Sequence, residues 1–230
     1  GDESWGLRTR IGALEGESIG HGSSLAGYFN SVDRDHYQGG VALQAGFGFG
    51  GAELMVDNVL APEIIGGRVF LRPAAWFTDA DWAKNLVFGV SYVTDSQAPV
   101  QLQGSSTAPQ SAAQPNILKP DVDDAGNLRV AERTNVGIFG FDAEFTVMKN
   151  TLVDIVPYVD VNVMQDQESG LGIHAGTFIN LKIPGGVGPK IMTRLEYRYA
   201  GEHYAPRYID SLYEAHRLMF TPATSTTSSQ

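Results

Sequence analysis

The chain has no cysteine, so it can form neither a disulfide framework nor a thiolate metal site. Basic residues are scarce. Sixteen Lys and Arg (16) stand against 26 Asp and Glu, for a formal charge of -10. Phosphate binding needs a basic surface, which argues against nucleic acid as a partner. No run of about 18 apolar residues occurs, which excludes a transmembrane helix. It does not exclude a transmembrane β-barrel, whose strands are only alternately apolar. Charged residues make up 18% and hydrophobic residues 43%, too apolar a balance for a disordered chain. The 230 residues suffice for one domain or at most two. The start at Gly1, without a signal-peptide pattern, and the polar stretch 221–230 read as a processed protein or an excised fragment.

What the sequence does have is alternation with a period of two. Phe139, Phe141, Ala143, Phe145 and Val147 alternate with Gly140, Asp142, Glu144 and Thr146. Val153 to Val163, Leu171 to Ile183 and Ile191 to Ala200 repeat this pattern, each with one apolar and one polar face. The first half is similar over Trp5 to Ala13, Val41 to Phe49, Ala52 to Asp57, Ile65 to Arg72 and Leu86 to Tyr92. These are nine strands, and Tyr213 to Phe220 offers a tenth. The connections alternate in length. Long or medium ones cover 15–39, 58–64, 95–134, 165–170 and the segment from 202, and shorter ones fall near 49–51, 76–84, 149–150 and 184–188. In an up-and-down meander the long loops then share one end. The expected organisation is a single barrel domain over 1–220, with long loops at 15–39 and 95–134 and a polar tail at 221–230.

Alternation alone fits a soluble β-barrel or sandwich as well as a membrane barrel, which differ in the face that points inward. Three features favour the membrane. The polar faces carry Arg rather than Lys, and Arg suits an enclosed network with carboxylates. Aromatic residues fall near strand ends, with Trp5, Trp76 and Trp82 toward the short turns and Tyr92, Tyr197, Tyr199 and Tyr204 toward the long loops. Short turns at one end and long loops at the other are the arrangement of outer-membrane barrels.

On this pattern, and on "IFGFDAEFTVMKNTLVDIVPYVDVNVM", which reads as two strands around a short turn, the chain resembles Gram-negative outer-membrane β-barrel proteins of the porin-like type. The resemblance implies an all-β, antiparallel, up-and-down transmembrane barrel in the outer membrane. The odd strand count, and the missing final strand ending in an aromatic, imply part of a larger barrel. Expected partners are outer-membrane lipid, other envelope proteins or a second copy of the chain. The expected function is a passive channel, without enzymatic activity, and the alternatives are a non-conducting scaffold barrel and a soluble ligand-binding barrel.

The candidate site is the set of charged residues on the polar faces: Arg8, Arg10, Arg68, Arg72, Asp142, Glu144, Asp154, Asp160, Arg194, Glu196 and Arg198. Glu53 and Asp57 belong to the same side. Such residues either line a water-filled pore and set its selectivity, or close a narrow lumen as a salt-bridge network. Other motifs are weaker. Asp121 and Asp123, with Gly126 and Glu132, approach a calcium-loop spacing, but Ala125 replaces an oxygen ligand and a turn explains the stretch as well; no other cofactor is implied. His21, beside Ser23 and Ser24 in "SIGHGSS", lacks the strand–turn–helix context of a nucleophile and reads as a Gly-rich outer loop. His174 reads as a hydrogen-bonded interior residue, and Glu202, His203, Glu214 and His216 form only a chance metal set.

Overall fold

The computed structural model describes residues 6–31, 37–78, 80–102, 128–166, 168–182, 191–218 and 220–222. The strands are β1 (Gly6–Gly12), β2 (Glu15–Glu17), β3 (Tyr28–Phe29), β4 (Gly40–Phe47), β5 (Gly50–Val56), β6 (Ile64–Leu71), β7 (Leu86–Leu102), β8 (Leu128–Phe145), β9 (Met148–Lys149), β10 (Val153–Gln165), β11 (Ser169–Leu181), β12 (Ile191–Ala200) and β13 (Phe220–Pro222). Two short helices, α1 (Asp81–Asn85) and α2 (Tyr213–Leu218), and a 3-10 turn at Pro73–Trp76 complete the elements.

The main path of the sheet runs β1-β4-β5-β6-β7-β8-β10-β11-β12, and every pairing along it is antiparallel. These nine strands are the ones expected from alternation. The chain is therefore all-β, an antiparallel meander. The sheet does not close on itself. Among the described strands β1 pairs only with β4 and β12 only with β11.

Local chemistry sets the turns. Asn150 accepts hydrogen bonds at Oδ1 from the backbone N–H of Leu152 and Val153, both at 2.8 Å, and this Asx turn reverses the chain between β8 and β10. Three expectations need correction. Residues 213–218 are a helix rather than a tenth strand. The side chains of Tyr213 and Glu214 reach inward to Asp95 and Tyr28, which one turn of helix allows. The loop placed at 95–134 is shorter, because β7 continues to Leu102 and β8 begins at Leu128. The pairing shifts register beside Pro99, where a bulge absorbs a residue that cannot donate to the ladder. Finally, the contrast between loop ends is weaker than expected. The connection 72–85 carries a 3-10 turn and α1, while β10 ends at Gln165 and β11 already begins at Ser169.

One face of the sheet is covered by the chain itself. The segment 13–31, between β1 and β4, folds back across it, and 201–213 lies alongside. Leu25 and Ile209 form a parallel bridge, extended by Ala26 N–H to the Ile209 carbonyl at 3.0 Å and Ile209 N–H to the Ser24 carbonyl at 3.2 Å. Leu14, Ile19, Leu25, Tyr28, Ile209 and Tyr213 pack on Ala42, Met55, Ile64 and Val93 of the sheet. Full burial of such side chains stabilises by about 1.5–3 kcal/mol each. Asn30 fastens the segment: its Oδ1 accepts from Leu14 N–H at 2.7 Å and its Nδ2 donates to the Asp57 carbonyl at 2.8 Å.

The other face carries apolar side chains in the open. Phe141 is 55% exposed, Val69 58% and Leu195 61%, with Leu7, Leu54, Phe88, Val159 and Leu171 alike. Tyr197, Tyr199 and Trp76 are exposed toward strand ends, whereas Tyr92, also exposed, lies inside β7 because that strand runs on to Leu102. Tyr204 is not among them, because it is buried on the covered face. Trp5 and the side chain of Trp82 lie outside the described residues.

Candidate functional site: a charged network on the covered face

The covered face holds most of the charged residues read from the sequence, in three clusters. In the first, Arg68 on β6 grips Asp142 on β8. Nε donates at 2.9 Å and Nη2 at 2.5 Å, a paired geometry only a guanidinium provides. Its Nη1 reaches Glu53 at 3.5 Å. Gly89 makes room for this pair, since a Cβ there would lie 2.3 Å from Asp142 Oδ2.

The second cluster centres on His21, from the inward segment. Its Nδ1 lies 2.6 Å from Asp160 on β10 and its Nε2 2.9 Å from Glu144 on β8. The ring stacks on Tyr158 with centroids 4.4 Å apart. Burial alone would lower the pKa of this imidazole. Hydrogen bonds to Asp160 and Glu144, together with their negative charge, outweigh burial and push it up to about 9. His21 is thus an imidazolium at neutral pH, pinning the segment to the sheet. The glycines around it explain the local sequence. Gly20 and Gly22 have φ of +56° and +72°, a region that other residues rarely adopt, and Gly20 N–H donates to Glu53 Oε2 at 2.8 Å.

The third cluster is built on β12. Glu196 accepts at Oε1 from Arg198 Nε at 2.5 Å and lies 2.9 Å from His174 Nδ1. Its Oε2 accepts from the Tyr158 hydroxyl at 2.7 Å and pairs with Arg194. Arg194 also donates from Nη1 to the His21 carbonyl at 2.6 Å. His174 is fully buried, and its Nε2 lies 2.9 Å from the Tyr204 hydroxyl. This is the hydrogen-bonded interior histidine expected from the sequence.

The remaining candidates stand apart. Arg8 and Arg10 pair with Glu17 of the folded-back segment, at 3.5 and 3.3 Å, and Arg8 Nη1 also donates to Gln44 Oε1 on β4 at 3.3 Å. Asp154 binds Lys182 at 2.7 Å beside the β8–β10 turn. Arg72 does not sit mid-strand, because β6 ends at Leu71; its Nη1 donates to the Phe47 carbonyl at 3.3 Å. Asp57 closes the β5–β6 connection by accepting from Glu63 N–H at 3.1 Å. Asp121 and Asp123 of the calcium reading lie outside the described residues. Glu132 falls within β8, paired with Gln101.

Among the described residues, the group with metal-like proximity is His21, Asp142 and Asp160. Most of its ligand atoms are engaged: both His21 nitrogens face carboxylates and Asp142 is held by Arg68, while Asp160 Oδ2 has no hydrogen-bond partner among the described residues. Imidazolium and guanidinium supply the positive charge that a metal would bring. The set at 202–216 does not converge either. His203 pairs with Glu168 at 2.7 Å, whereas Glu214 accepts from Tyr28 at 2.7 Å. No Ser–His pair forms at 18–24, since His21 spends both nitrogens on carboxylates.

The role of His21 was not apparent from alternation, because it sits in a loop, and Glu17 lies on the short strand β2, off the main path of the sheet. The signal that could have found the inward segment is the spacing of Gly12, Gly16, Gly20, Gly22 and Gly27, all with positive φ. No protein-family model, curated protein or solved structure matches this chain.

Proposed function

We propose that the chain forms the wall of a Gram-negative outer-membrane β-barrel, a passive porin-like channel with a charged lumen narrowed by the inward segment 13–31. The observation that carries this reading is the inverted polarity of the sheet. Phe141, Val69 and Leu195 are open to the surroundings, while Arg68, Asp160 and His174 are buried. In water this arrangement wastes the hydrophobic effect; in hydrocarbon it places apolar side chains against lipid and charges around the lumen. The free edges of β1 and β12 fit the same reading only when further strands pair with them, because unpaired backbone groups cannot face lipid.

Transport would be diffusion along a charged wall on which Arg68, Arg194 and Arg198 are interleaved with Asp142, Glu144, Asp160 and Glu196. A second reading, a non-conducting scaffold barrel, draws support from how fully 13–31 and 201–213 cover the polar face. Bilayer recording from purified full-length protein separates the two. Insertion with steady single-channel steps supports the channel, and insertion without conductance supports the scaffold. A protein that stays in solution without detergent, with the apolar face closed by a second copy, refutes both.

A further inference from the structure

The network around Glu196 leaves positive charge over. Three guanidinium groups, Arg194, Arg198 and Arg207, border one cavity of about 410 Å³, and among the described residues Glu196 is the only acid lining it. Both carboxylate oxygens of Glu196 are already taken, by Arg198 and His174 at Oε1 and by Tyr158 and Arg194 at Oε2. Glu196 therefore has no lone pair to spare for Arg207. Among the described residues the buried Nε of Arg207 has no hydrogen-bond partner. A buried donor without an acceptor is costly, and one that persists calls for an explanation.

The side chains around this cavity are fixed rather than loose. Arg194 lies over the rings of Tyr158 and Phe178, at 5.0 and 5.2 Å, and is tied to the His21 carbonyl. Arg207 holds a left-handed backbone, with φ of +53°, and its N–H donates to the Ser23 carbonyl at 2.9 Å. A non-glycine residue seldom keeps that conformation unless its surroundings impose it. Burial, then the charges of Arg198 and Arg194, push the Arg207 guanidinium below its ordinary pKa. Burial is the larger cause, and the two neighbouring cations add to it. A bound anion would offset their charge.

We infer that this cavity is a binding site for a small oxyanion, a carboxylate or phosphate group, held by Arg207 and Arg198 and oriented by the stacked Arg194. Guanidinium groups match such anions with paired hydrogen bonds. The site is on the covered face, away from the open apolar face, so its ligand is a solute rather than a lipid headgroup. The inference rests on side-chain placement and holds whether or not the barrel conducts.

The test is equilibrium binding of inorganic phosphate and of succinate to the purified full-length protein in detergent, by calorimetry at low ionic strength. Saturable binding of either probe is expected, and the tighter of the two names the class. Arg207→Gly suits the left-handed backbone and so removes the guanidinium without threatening the fold. It should weaken binding at least tenfold, and Arg198→Gln should do the same. Lys149→Gln, on β9 and outside the cavity, should leave binding unchanged. Absence of saturation by both probes, or equal affinity in Arg207→Gly and the parent, overturns the inference.

Discussion

Replacing His21 by Phe tests how the inward segment is held. The new ring keeps the stack on Tyr158, now at 4.4 Å, but loses both hydrogen bonds, to Asp160 at 2.6 Å and to Glu144 at 2.9 Å. Two estimates of the cost agree. The rise of the imidazole from 6.5 to about 9 corresponds to about 3 kcal/mol of preference for the cation in the folded chain. Removing one partner of a buried ion pair costs about 3–5 kcal/mol. Protonation of one of the two stranded carboxylates softens that loss, so about 3 kcal/mol is the working value. Opening of the segment should then become about a hundredfold more frequent. Hydrogen–deuterium exchange reads this directly. Peptides spanning 14–31, including the Gly20 amide bonded to Glu53, should exchange about a hundredfold faster in H21F at pH 7. Peptides of β10 and β11 should change far less. An exchange rate within threefold of the parent would refute the pinning role, and placement of the segment would then rest on its apolar contacts alone.

Other predictions follow from single features. His21 has a folded pKa above its unfolded one, so its stabilisation is complete below about pH 6.5 and is lost as pH rises through about 9. Exchange of 14–31, corrected for intrinsic rate, should therefore accelerate between pH 7 and 10 in the parent but not in H21F. Gly172→Ala places a Cβ 2.0 Å from Tyr204 Cε1 and should expel that ring, lowering stability by about 1–3 kcal/mol; an unchanged unfolding midpoint would count against the close approach. Tyr204→Phe leaves the buried His174 Nε2 without its hydroxyl and should cost about 1–3 kcal/mol by the same measurement. Phe141→Lys puts a charge on the open face and should impair bilayer insertion by up to about 2–4 kcal/mol; normal insertion would contradict the proposed lipid contact.

The nine strands of the main path were legible because side chains in a strand alternate strictly, and Phe139 to Val147 or Ile191 to Ala200 show that alternation without interruption. The pairing of Arg68 with Asp142 could be anticipated only as membership of one polar face. Which acid an arginine meets depends on register, and turn lengths carry that information poorly. The extension of β7 was hidden by Pro99 and by polar residues typical of loops. The helix at 213–218 was hidden because the stretch Tyr213 to Phe220 also reads as a strand, and Phe220 itself opens β13. The inward segment was the largest omission. A Gly-rich loop looks alike whether it faces solvent or folds inside, and what decides is partners more than 100 residues away, such as Asp160, whose separation from His21 is 139 positions.

That separation also orders assembly. Along the main path each strand pairs with its predecessor in that path, so the wall can grow by joining segments already close in the chain, for which loop-closure entropy is small. The segment at 13–31 cannot follow this rule. It is made before almost the whole wall, yet its anchors are Glu144 on β8, Asp160 on β10 and Arg194 on β12. Its apolar residues Leu14, Ile19 and Leu25 can pack once β4 to β7 are in place, but its charged anchors must wait for the last of these strands. The buried imidazolium is then the closing latch of a shell built outward from one edge, and its formation marks the end of folding rather than the beginning.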